Sequence, residues 1–174
     1  MSQVMLKGNP VSVAGALPEI GGRAPELRLT TTDLRDVGLN EWSGKRKLLS
    51  IFPSIDTGVC AMSTKKFNDQ ARDNEEIVML MISGDLPFAH QRFCGNEGLE
   101  NVVNLSTMRN QNFARDYGVY MEDGPLAGLT ARAIVVLDEH NTVVHTELVE
   151  EISSEPNYVA ALRAIGIEAS PADT

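Results

Sequence analysis

The sequence predicts an α/β protein: a central mixed β-sheet flanked by helices on both faces, preceded by an N-terminal β-hairpin. Three observations lead there. Apolar runs suited to buried strands, at residues 48–52 and 77–82, are each followed by a helical pattern. Two more β-prone runs, 128–137 and 142–148, flank Asp138-Glu-His-Asn141 and read as an antiparallel pair. The chain has 174 residues, 43% of them hydrophobic, enough for one well-filled core, so residues 1–174 are expected to form a single domain.

The elements follow in order. Residues 4–13 place two short β-prone runs around Gly8-Asn9-Pro10, a turn signal, so 1–15 is the hairpin. Residues 15–25 are rich in Gly and Pro and read as loop; 26–30 alternate and suggest a short strand. Residues 33–43 read as turn and loop anchored by Leu39 and Trp42. The run 48–52 is a buried central strand, expected to be parallel to its neighbours. In the helix that follows, Val59, Ser63, Phe67 and Ala71 share one face, with Lys65, Asn68, Asp69 and Arg72 on the wet side. After the strand 77–82, Asp85 is expected to cap a second helix with Pro87 in its first turn and Leu86, Ala89 and Phe93 facing inward; Gly95 is expected to stop it. A short strand at 102–105 and a short helix at 112–117 come next. Ser154 is a candidate cap for a last helix with Tyr158, Leu162 and Ile165 inward and Gly166 at its end, and 167–174 is expected to be a frayed, flexible tail.

Composition excludes several classes. The net charge of −9, with a pI of about 4.8, disfavours nucleic acid and anionic membranes as partners. No apolar run approaches the roughly 20 residues that span a bilayer, and no basic-then-apolar leader is visible, so a cytoplasmic location is expected. Two cysteines, Cys60 and Cys94, are too few for a disulfide framework or a cysteine zinc site. His90 and Cys94 are four apart on one helical face, but two ligands do not hold a metal. His140 and His145 read as structural, and Met79 and Met81 as core. Without a Gly-x-Gly-x-x-Gly or a phosphate loop, no nucleotide is expected.

The chemistry centres on Pro53-Ser-Ile-Asp-Thr-Gly-Val-Cys60. It lies between a strand and a helix, so Cys60 falls in a helical first turn, where free amide N–H groups and the macrodipole favour a thiolate. Thr57 is either the helix cap or a hydroxyl aimed at whatever meets the sulfur. Taken alone, Cys60 could equally be an inert buried thiol. Cys94 could be a buried thiol, half of a structural bridge, or a second redox cysteine. Arg132, in Gly-Leu-Thr-Ala-Arg-Ala-Ile-Val-Val, is either an edge arginine in a surface ion pair or a functional cation within apolar neighbours.

The pattern Pro53…Thr57-x-x-Cys60, with its flanking residues, Cys94 and Arg132, resembles the active-site signature of the peroxiredoxins, in the thiol peroxidase branch of atypical two-cysteine members. The resemblance runs from roughly residue 4 to residue 166. It implies a thioredoxin-like fold. It implies a peroxidase for H2O2 and organic hydroperoxides in which Cys60 is the peroxidatic cysteine and passes through a sulfenic acid. Cys94 would resolve it as an intramolecular Cys60–Cys94 disulfide, and thioredoxin would reduce that bond. Arg132, Thr57 and the backbone near Val59 would bind the peroxide, and Pro53 would shape and shield the site. No metal or other cofactor is implied, and a homodimer is. Two cysteines on separate helices rarely meet the roughly 7 Å Cα separation of a disulfide, so local unwinding at 58–61 and 90–98 is expected. Other readings stay open: a redox sensor whose oxidised Cys60 signals to a partner, or an inert thioredoxin-like domain.

Overall fold

The computed structural model describes residues 2–168. Its main sheet has seven strands in the order β10-β9-β5-β6-β7-β3-β4, and a second sheet has three, β1-β2-β8. The strands are β1 Ser2–Leu6, β2 Asn9–Ala14, β3 Leu29–Thr30, β4 Asp36–Val37, β5 Arg46–Ile51, β6 Ile77–Ser83, β7 Val103–Ser106, β8 Tyr120–Met121, β9 Ala133–Leu137 and β10 Val143–Leu148. The helices are α1 Gly58–Ala71, α2 Pro87–Glu97, α3 Phe113–Asp116 and α4 Tyr158–Ile165.

The sheet is mixed at its centre. β5 runs parallel to β6 but antiparallel to β9, so the expected parallel central strand is parallel on one side only. Alternation along β5 splits the interior. Leu48 belongs to one core with Met79, Met81, Ile134 and Val136, beneath Phe67, Leu162 and Ile165. Leu49 and Ile51 belong to the other, with Leu80, Ile82, Val135, Phe113 and Tyr117. Three helices, α1, α2 and α4, therefore cover the first face; α3 and the small sheet cover the second.

Several local expectations are corrected. The hairpin turns at Lys7 and Gly8, both at positive φ (51° and 80°), as a two-residue turn matched to strand twist. Pro10 lies inside β2, where β8 has not begun to pair, so its missing N–H is tolerated. The two residues of β8 carried no readable signal. Residues 128–132 are not strand. Helix α2 is capped by Leu86 without a side-chain bond, because the Asp85 carboxylate is engaged elsewhere. It runs past Gly95 and ends at Gly98, which takes the left-handed conformation (φ 67°). Its buried residues are Pro87 and His90; Phe93 packs against the core as expected, whereas Leu86 is 54% exposed. Asn68 is buried, not wet, since its Oδ1 accepts from the Asn101 N–H at 2.8 Å. Asn157, not Ser154, caps α4, its Oδ1 accepting from the Ala160 N–H. Gly166 ends that helix as expected. Of the predicted tail, 169–174 lies outside the described residues.

Candidate active site

Cys60 is the third residue of α1, and its side chain is fully buried. The first helical hydrogen bond here runs from the Ala61 N–H to the Thr57 carbonyl, 3.1 Å, so the amides of Gly58, Val59 and Cys60 precede the ladder. Arg132 lies one residue before β9 and is 4% exposed. Its NH1 donates to the Cys60 sulfur at 3.0 Å and its Nε to the Ile152 carbonyl at 2.8 Å. Among the described residues these are the guanidinium's hydrogen-bond acceptors. Of these two acceptors, a backbone carbonyl and a cysteine sulfur, only the sulfur is an ionisable group.

The loop that leads to Cys60 is pinned at several points. Pro53 is buried. The Thr130 hydroxyl donates to the Phe52 carbonyl at 2.7 Å. Asp85 accepts from the Ser54 hydroxyl and the Ile55 N–H, both at 2.7 Å, and from the Ser83 hydroxyl at 2.6 Å. The Ser83 oxygen meets His90 Nε2 at 2.8 Å. Ser83 gives its proton to Asp85, so His90 is the donor at Nε2; burial pushes His90 below its ordinary value, and nearby Asp85 opposes that shift. Thr57 stands at the cap position, but its hydroxyl turns back to the Ser54 carbonyl at 3.0 Å instead of capping. Thr57 is exposed and Val59 half-buried, at the outer rim of the site.

On the far side, the Tyr158 hydroxyl meets Ser63 Oγ at 2.8 Å and joins α4 to α1 one turn beyond Cys60. Burial is the main cause holding that phenol well above its usual range. The Arg132 acceptor is itself braced. The Ile152 N–H donates to the Met5 carbonyl at 2.8 Å, and the Glu151 carboxylate accepts from Lys7 and Gly8 at 3.0 and 3.1 Å. The N-terminal hairpin thus supports the guanidinium through residues 151–152.

Cys94 is elsewhere. It sits on α2, half-buried, with its sulfur accepting from Asn104 Nδ2 of β7 at 2.9 Å. Burial raises its thiol, and the Asn104 bond partly offsets this. Both cysteines are free thiols. Arg132 adjoins β9 and Asn104 lies on β7, three strand steps away across β5 and β6, so these strands stand about 14 Å apart at the usual spacing. The structure therefore joins Cys60 with Arg132, and Pro53 with the loop, and keeps Cys94 apart. Asp85, Ile152, Glu151 and Asn104 were not found from sequence. Asp85 does carry a local signal, an acid before a helix, but that signal points to a cap.

A buried thiol at a helix N-terminus, bonded to a buried guanidinium on a thioredoxin-like sheet, defines a thiol-based redox protein. The Redoxin family model matches residues 19–162. A thiol peroxidase of Leptospira interrogans (serovar copenhageni) is 47% identical over 166 residues, covering 94% of this chain and 97% of its own. A peroxiredoxin-like protein of Aquifex aeolicus superposes with a TM-score of 0.89 at 36% identity, over 95% of this chain and 96% of its own. A thiol peroxidase from Chromobacterium violaceum superposes at 0.84 with 26% identity, over 92% and 93%. The chain belongs to the Redoxin family, in the thiol peroxidase branch of the peroxiredoxins. It is an oxidoreductase that acts on peroxide. No helix among the described residues is long and apolar enough to cross a membrane.

Proposed function

We propose that Cys60 is the peroxidatic cysteine of a two-cysteine peroxidase acting on H2O2 and alkyl hydroperoxides. The observation that carries this is the 3.0 Å bond from Arg132 NH1 to the Cys60 sulfur, both groups buried. A charge-assisted donor favours negative sulfur. The thiolate attacks the distal peroxide oxygen; an S–O bond forms and the O–O bond breaks. Sulfur loses two electrons, and the leaving oxygen takes them and a proton, departing as water or alcohol. Cys60 becomes a sulfenic acid. Arg132 and the free amides of Val59 and Cys60 would stabilise the charge developing on oxygen, with Thr57 ordering the turn through Ser54. Pro53 walls the sulfur from water. Because Cys60 is fully buried, peroxide reaches it through movement of the rim at residues 57–59, exposed at Thr57 and Gly58 and half-buried at Val59.

Cys94 then attacks the Cys60 sulfur and displaces hydroxide, giving an intramolecular disulfide. With one sulfur bonded to Arg132 beside β9 and the other to Asn104 of β7, α1 and α2 must unwind locally for this step. A dithiol reductant, thioredoxin, restores both thiols by two exchanges, which suits the cytoplasm. The reaction needs no metal or organic cofactor, and the working form is a homodimer. The test is stopped-flow oxidation of the reduced protein by stoichiometric H2O2 or cumene hydroperoxide, with intact mass of the product. Rapid loss of about 2 Da, from two hydrogens on disulfide formation, supports the scheme. Persistent addition of one oxygen would remove Cys94 as the resolving residue, and reaction at the rate of a free thiol would remove Cys60.

A further inference from the structure

Asn104 breaks three local rules at once. It lies in β7 between Val103 and Leu105, where asparagine is disfavoured. It is 6% exposed. Its Oδ1 is buried without a partner among the described residues, while its Nδ2 bonds the Cys94 sulfur. Buried polar atoms are nearly always paired, so an orphan acceptor marks stored instability. On its outer side, Asn104 lines with Cys94, Trp42 and Leu99 an open cavity of about 450 Å³.

We propose that Asn104 is a positioning residue that makes the Cys94 segment of α2 easy to lift from the sheet, and so sets the rate of resolution. While α2 is docked, Asn104 parks the Cys94 sulfur and leaves its own carbonyl oxygen unsatisfied. When α2 unwinds, water from the adjoining cavity reaches both ends of the amide, and the orphan is satisfied. The docked state is thereby kept only moderately stable at the spot that must open. Burial also holds docked Cys94 towards the thiol, a poor nucleophile, so attack awaits release. An apolar residue at 104 would hold α2 in place, since it removes the buried unpaired carbonyl oxygen and its desolvation cost, while the bond given up is to sulfur, a weak acceptor.

This inference rests on Cys94 being the resolving cysteine. Its test compares Asn104→Val with Asn104→Thr, two side chains of one shape that differ by a hydroxyl able to bond sulfur and, on opening, water. Resolution is followed by the fluorescence of Trp42, the single tryptophan, and by product mass; the sulfinic to disulfide ratio is measured as peroxide rises. Asn104→Val should form the sulfenic acid at the wild-type rate but resolve it about fivefold slower, and overoxidise at about fivefold lower peroxide. Asn104→Thr should lie closer to wild type. Equal or faster resolution in Asn104→Val, or matching values for Val and Thr, would overturn the role of Asn104. Wild-type protein that keeps its added oxygen would instead overturn the resolving role of Cys94, and this inference with it. Thermal unfolding of both variants separates global loss of fold from the partition ratio, which a purely structural role leaves unmoved.

Discussion

Replacing Arg132 by lysine keeps the charge and removes the fork. The guanidinium makes two buried bonds with different nitrogens, NH1 to the Cys60 sulfur and Nε to the Ile152 carbonyl. One ammonium cannot reproduce that planar spacing. The lost bond to sulfur is charge-assisted, a class contributing about 1.5–3 kcal/mol. At about 1.4 kcal/mol per factor of ten, the first oxidation should slow by roughly ten- to a hundredfold. The assay is the second-order rate of oxidation of reduced Arg132→Lys by H2O2, read by stopped flow across pH. If Arg132 acted only by populating the thiolate, alkaline pH would restore the wild-type rate. If it also stabilises charge on the departing oxygen, as only an interaction stronger in the transition state accelerates the step, a deficit persists there. A rate within threefold of wild type at neutral pH, in a variant that unfolds at the wild-type temperature, would refute the argument that this guanidinium drives the chemistry.

Asp85→Ala strips the Cys60 loop of its acceptor for Ser54, Ile55 and Ser83; a loss of about 3 kcal/mol should lower the melting temperature by roughly 6–12 °C by calorimetry. His90 is fully buried and held below its ordinary value of 6.5. The unfolded chain therefore takes up a proton first, and stability should fall as pH drops below about 6.5; denaturant titrations of His90→Gln, which keeps a donor for Ser83, should show a flatter dependence there. The Lys7 amide, with help from Ser153 and Gly8, holds Glu151 down to about 2. Its contribution is complete above about 4.5, the ordinary value, and lost as pH falls from there towards 2. Glu151→Gln should flatten acid unfolding in that window, and by loosening the brace under Ile152 should also slow the first oxidation.

What was legible in the sequence is what local pattern controls. The buried strands β5 and β6, the C-terminal hairpin and the entry into α1 follow from apolar runs and turn residues. Cys60 and Arg132 were legible as candidates because each broke a pattern, a thiol at a helix start and a charge among alanine and isoleucine. What stayed hidden depends on partners distant in the chain. Asp85 looks like a cap from its neighbours, yet its carboxylate serves the loop at Ser54 and Ile55, about one strand and one helix earlier. His90 falls on the inner face of α2 because Ser83 offers it a partner, which helical spacing alone does not encode. The link from hairpin through Glu151 and Ile152 to Arg132 joins the two ends of the chain and has no local signature.

In the proposed two-cysteine cycle the two thiols impose opposite demands on the same fold. Peroxide attack would need α1 wound, since the Cys60–Arg132 bond depends on it; disulfide formation would need α1 and α2 released. Two ion pairs tie these segments across the surface: Lys65 of α1 to Glu97 of α2 at 2.8 Å, and Asp56 of the loop to Arg92 of α2 at 3.3 Å. All four side chains are 39% exposed or more, so each pair contributes at most about 1 kcal/mol and is screened by salt. Both pairs must part when α2 leaves, and neither touches the Cys60 sulfur. Raising ionic strength from roughly 0.01 to 1 M, which shortens the Debye length from about 30 to 3 Å, should therefore speed resolution by a few-fold and leave the first oxidation nearly unchanged. Lys65→Gln together with Arg92→Gln should abolish the salt response and resolve fast at every concentration. If salt accelerates wild type and the double variant alike, these pairs are not what holds the docked state, and the restraint lies in the buried contacts of α2.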